Sequence, residues 1–118
     1  MNFEKLANKV IKRLKKEGVV CYLWHSTASA YIRFQDCRMG SIRLGDHKGR
    51  SQYGYMWNIR SDFPKGHKKW HKIEGKWRFY AHSENWIAIL PHILERKSRV
   101  EQWGENKHKY FIPEHKKK

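Results

Sequence analysis

The stretch QYGYMWNIR, residues 52–60, alternates without a break: Tyr53, Tyr55, Trp57 and Ile59 fall on one side, Met56, Asn58 and Arg60 on the other. Large rings at period two are the pattern of a strand with one face in a core, so the segment predicts a sheet covered on one side. Working outward, VVCYLW (19–24) and SAYIRF (29–34) repeat the pattern as strands around a turn at 25–28, and Ile42 to Leu44 gives a third strand after the turn DCRMG. On the other flank SDFPKGHKK reads as a loop, and residues 70–73 and 76–80 as a hairpin about Glu74 and Gly75. The face away from the core would then carry Tyr22, Trp24, Tyr31, Arg33, Arg43, Met56, Asn58 and Arg60.

Two segments have helical period instead. Over residues 2–17, Phe3, Leu6, Ala7, Val10, Ile11 and Leu14 form one apolar stripe, with Asn2 able to cap the start and Gly18 to close the end. Lys5, Lys9, Lys12, Arg13, Lys15 and Lys16 occupy the far side, which reads either as a solvated face or as one that meets phosphates. Downstream, Trp86, Leu90, Ile93, Lys97 and Val100 share a face of a second helix, capped by Ser83 or Asn85 and ended by Gly104. Pro91 lies within that pattern and must kink the helix or restart it, because it has no N–H to donate. The order predicts an α+β fold: an N-terminal helix, an antiparallel sheet of four to six strands, and a C-terminal helix packed on one sheet face. One domain over 1–112 and a basic flexible tail at 113–118 are expected.

Charge narrows the function. Lys and Arg total 26 against 11 acids, a net charge of +15, which favours a polyanionic partner and argues against a mimic of nucleic acid. Rings make up 14% of the chain, more than basic disordered segments carry, so most of the chain should fold. Cys21 and Cys37 stand apart with no CxxC pairing, which points to neither a zinc ribbon nor a disulfide scaffold. Neither a signal peptide nor a membrane-spanning run is read, so a cytoplasmic protein is expected.

Three local patterns bear on chemistry. In SIRLGDHKGR (41–50), Asp46 and His47 stand side by side between Gly45 and Gly49. The leading reading makes Asp46 the cap of a turn; Lys48 and Arg50 meeting a phosphate comes second, and an acid–base pair third. His67 and His71 are four apart, but Lys65, Lys68 and Lys69 surround them and oppose a divalent cation, so neither metal nor cofactor is expected. The stretch KGHKKWHKIEGKWRFY (65–80) interleaves Lys68, Lys69, Lys72 and Arg78 with Trp70, Trp77, Phe79 and Tyr80, as suits phosphates and unpaired bases, although at least half of such rings should be core. The expected contact set is Lys9, Lys12, Arg13, Lys16, Arg43, Lys48, Arg50, Arg60, Lys68, Lys69, Trp70, Lys72 and Arg78. No helix-turn-helix, RNP, KH or Walker A pattern is present to sharpen it.

Two resemblances add to these readings. Residues 2–47, with KRLKKEGVV at the helix exit and SAYIRF as second strand, resemble HicA-type toxins, small RNases of a double-stranded-RNA-binding-like fold. That family sets its catalytic His in a Gly-Ser-His sequence on this strand, where Ala30 stands here. SAYIRF followed by SIRLGDH and a Tyr-rich strand is similar to small phage and prophage proteins with an Arg-x-Ser-Asp-His stretch, with Gly45 in place of the Ser. This likeness implies a mobile-element origin and a role in host takeover or anti-defence. The leading expectation is therefore a non-enzymatic accessory protein that binds nucleic acid or a ribonucleoprotein through Lys, Arg and rings. The alternatives are an anti-defence inhibitor, such as an anti-CRISPR, binding a host effector protein directly, and a HicA-like RNase.

Overall fold

The fold is taken from a computed structural model, which describes residues 3–25, 29–47, 50–62, 72 and 74–103. Helix α1 (Phe3–Lys16) leads into five strands: β1 (Cys21–His25), β2 (Ala30–Phe34), β3 (Ser41–His47), β4 (Arg50–Asn58) and β5 (Lys76–His82). A 3-10 segment (Ser83–Ile89) then runs directly into helix α2 (Leu90–Trp103). The strands form one antiparallel sheet in the order β1-β2-β3-β4-β5. The α+β architecture expected from the sequence is the one observed.

Alternation decides which side chains go inside. Ala30, Ile32 and Phe34 of β2, Ile42 and Leu44 of β3, and Tyr53 and Tyr55 of β4 are buried on one face. Both helices share that core: Ala7, Val10 and Leu14 from α1, and Leu90, Ile93 and Val100 from α2. α1 packs behind β1, β2 and β3, while the 3-10 segment that introduces α2 packs behind β4 and β5. Gly18 closes α1 at φ 79°, a left-handed conformation that glycine adopts without Cβ strain, and its N–H donates to Lys15 O at 3.1 Å. Pro91 restarts a helix, occupying the first turn of α2, where an N–H has no intrahelical acceptor to lose. Leu14→Ala or Ile93→Ala should each cost about 2–5 kcal/mol, because both side chains are fully buried. Urea unfolding reads this directly, and unmoved midpoints would mean that the helices pack by other faces.

The rings of β4 and β5 extend the core toward α2. Trp57 stacks on Trp77, with centroids 4.2 Å apart and planes 15° apart, and His92 of α2 lies 4.3 Å from Phe79. Burial raises the Tyr55 phenol far above its ordinary range, with Arg96 opposing part of the rise, so it stays neutral and donates to Met39 O at 2.6 Å. The Tyr53 hydroxyl donates to Leu6 O at 2.8 Å and ties α1 to β4.

Two arginines sit in this interior, at 4% exposure for Arg38 and 2% for Arg96. Arg96 of α2 donates from Nε to Arg38 O at 2.8 Å, from Nη2 to Ser61 Oγ at 2.7 Å, and from Nη1 to the Asp62 carboxylate. Its guanidinium carbon lies 4.6 Å from the centre of the Trp57 ring. Arg38 is held by Asp36, Nη2 to Oδ2 at 2.6 Å and Nε to Oδ1 at 3.0 Å. One side chain of α2 thus joins the β2–β3 connection to the 3-10 turn Ile59–Asp62 after β4.

Several expectations are corrected. β3 continues past Leu44 through Gly45 and Asp46 to His47, pairing Asp46 with Ser51 and His47 with Arg50, so the turn is confined to residues 48–49; the expected cap of it by Asp46 falls on those two, which lie outside the described residues. β4 ends at Asn58, and Ile59 and Arg60 lie in the following 3-10 turn, off the strand faces. β5 pairs with β4 through seven residue pairs, and Lys72 adopts a 3-10 conformation, against a strand there in a local hairpin. The expected cap at Asn2, most of the 65–73 stretch and the 113–118 tail lie outside the described residues.

Candidate nucleic-acid interface

With both helices behind the sheet, no described element covers its other face, called the open face below. Strand register sets two rows across it. One runs Trp24, Tyr31, Arg43, Gly54, Tyr80 from β1 to β5, and the next runs Tyr22, Arg33, Ser41, Met56, Arg78. Lys76 opposite Asn58, and His82 opposite Gln52, extend the face at either end. No described strand position of this face is an Asp or Glu.

The rings there are held at different depths. Tyr22 is 49% exposed and Tyr80 52%, so a stacking surface stands at each side of the sheet. Trp24 and Tyr31 are half-buried, their centroids 5.9 Å apart, and the Arg33 guanidinium lies 3.6 Å above the Trp24 ring. That cation–π contact fixes Arg33 without neutralising it. Gly54 has a packing reason: a Cβ built there would come within 2.8 Å of the Tyr80 ring, so Tyr80 lies flat across its neighbour strand. Arg43 and Arg78 are exposed, and each presents a planar fork of donors suited to a phosphate.

The expected contact residues divide between surfaces. Arg43 and Arg78 are on the open face. Lys9, Lys12, Arg13 and Lys16 are exposed on α1, on the side of the molecule that the sheet does not face, so they cannot join Arg43 and Arg78 in one contact. Arg50 begins β4 and forms an ion pair with Glu84. Arg60 is half-buried in the 3-10 turn, and Lys72 is exposed beyond it. Lys48, Lys68, Lys69 and Trp70 lie outside the described residues.

The open face also takes in Tyr80 and Lys76, which the expected set omits although the alternation in KWRFYAH carries them there. It sends Trp77 and Phe79 to the core side and Lys76, Arg78 and Tyr80 to the open side.

Burial pushes the Cys21 thiol up to about 11, which leaves it protonated and a poor nucleophile. Among the described residues no group of three or more His, Cys, Asp or Glu is placed to hold a metal ion, and His67 and His71 lie outside them. No described helix is long and apolar enough to cross a membrane. Neither family models, nor curated proteins, nor solved structures give a match to this chain.

Proposed function

We propose that the protein binds single-stranded nucleic acid, free or within a ribonucleoprotein, across the open face of its sheet. The observation that carries this reading is the pair of rows in which Tyr22, Trp24, Tyr31 and Tyr80 alternate with Arg33, Arg43 and Arg78, with no carboxylate among them. Arginines neutralise phosphates, while exposed rings accept unpaired bases that a duplex would keep stacked. Nothing in the rows forms a fixed donor and acceptor pattern, so binding tolerates sequence. The likeness to phage proteins supports a role as a viral accessory factor. Exposed rings beside arginine also suit contact with an acidic patch of a host effector protein, which is the second reading.

Arg43→Glu combined with Arg78→Glu tests the first. Affinity for a labelled single strand should fall at least tenfold at low salt, and the slope of log K against log salt should drop by about 1.4, for two lost phosphate contacts. Fluorescence anisotropy at several salt concentrations measures both. Unchanged affinity in the folded double variant would remove the sheet face from the interface, and salt-tolerant binding to a protein partner would favour the second reading.

A further inference from the structure

The helix α1 carries a second charged surface whose chemistry differs from that of the sheet. At about 100° per residue, Lys5, Lys9, Lys12 and Lys16 fall within one narrow stripe, diametrically opposite Ala7, Val10 and Leu14. Those three are fully buried against the sheet, so the stripe points straight away from it. Lys9, Lys12 and Lys16 are exposed. Glu4 and Glu17 lie on the flanks of the helix, and Glu17 is 3.6 Å from Arg13, so no position of the stripe is itself an Asp or Glu. From Lys5 to Lys16 it extends about 16 Å, which spans several phosphates of a duplex.

No ring shares the stripe, and every cation in it is a lysine. Ammonium groups on a rigid helix neutralise phosphates as point charges, with neither a platform for an unpaired base nor a fork for a particular oxygen pair. A double helix offers phosphates alone to such a surface, whereas the sheet face offers stacking that a duplex cannot use.

We propose that α1 is a separate site for the backbone of duplex nucleic acid, and that one molecule bridges a duplex on α1 to a single strand on the sheet. The duplex site stands on α1 alone, while the bridging rests on the sheet reading above. The geometry forbids one short segment from occupying both surfaces and permits two segments to be held at once.

The test uses the full chain, a 20-base-pair duplex and an immobilised single strand of unrelated sequence. Protein bound to the single strand should capture labelled duplex. Lys9→Gln, Lys12→Gln and Lys16→Gln together should abolish capture, weaken duplex binding at least tenfold at low salt and lower its salt slope by about 2.7. Single-strand affinity should be retained within about twofold, since the lost charges contribute only at long range. Wild-type protein that holds the single strand but captures no duplex would overturn the bridging and leave the sheet reading intact. Duplex binding that persists unchanged in the triple variant would overturn the α1 site. Duplex binding lost in the triple variant, with no single-strand binding by the wild type, would sustain the α1 site and sink the sheet reading and the bridging together.

Discussion

Arg96→Ala should lower stability by about 3 kcal/mol, because it removes a buried guanidinium that serves three acceptors at once, one of them the part-buried Asp62 carboxylate. The Arg96 guanidinium satisfies Arg38 O, Ser61 Oγ and the Asp62 carboxylate at once. Its loss takes the guanidinium from all three: Ser61 Oγ keeps only its bond to Asn58 O, and Asp62 keeps only Arg99, which at 3.9 Å is too far for a hydrogen bond. Thermal unfolding should show a fall in Tm of more than about 10 °C. Arg96→Lys should recover little, since a single ammonium cannot reach three acceptors spread around a planar fork. A variant with lysine that melts like the wild type would show that charge alone, and not the fork, holds this junction.

Gly40→Ala should be as damaging through the backbone. Gly40 has φ 84° and ψ −147°, a region open in practice only to glycine, and a Cβ there would sit 2.0 Å from Met56 O. Neither the sheet nor the turn can move aside, since Ser41 pairs with Met56 immediately beside the clash. A loss of at least about 3 kcal/mol follows from strain and overlap together. Gly45→Ala is the matched control: nothing lies within 4 Å of a Cβ at that strand position, and stability should change by less than about 1 kcal/mol. Equal unfolding midpoints for the two variants would dismiss the close approach at Gly40.

The sequence made the sheet readable wherever a strand has one wet face and one dry one. Tyr53, Tyr55 and Trp57 announce the core side of β4, and the open-side set from Tyr22 through Asn58 follows from the same alternation. Legibility failed where pairing overrides local preference. Gly45, Asp46 and His47 look like turn residues, yet ladder bonds to Gln52, Ser51 and Arg50 carry them as strand. It failed again for buried charge: Arg38 and Arg96 are indistinguishable in sequence from surface arginines until Asp36, Ser61 and Asp62 are brought to them by the fold. The contact set suffered for a third reason. Period shows which residues share a face of one element, but not that α1 and the open sheet face look in opposite directions.

Every strand in this sheet lies beside its neighbour in the chain, α1 covers β1 to β3, and the 3-10 segment that follows β5 covers β4 and β5. Assembly can therefore proceed hairpin by hairpin, each new strand docking on the last without a distant partner having to be found. Topologies of this kind close short loops early and fold faster than sheets with crossed strand orders. The ties that span the chain, Tyr53 to Leu6 and Arg96 to Arg38, can form only once the strands between them are in place. Latches made that late would slow escape from the folded state far more than they would hasten arrival at it.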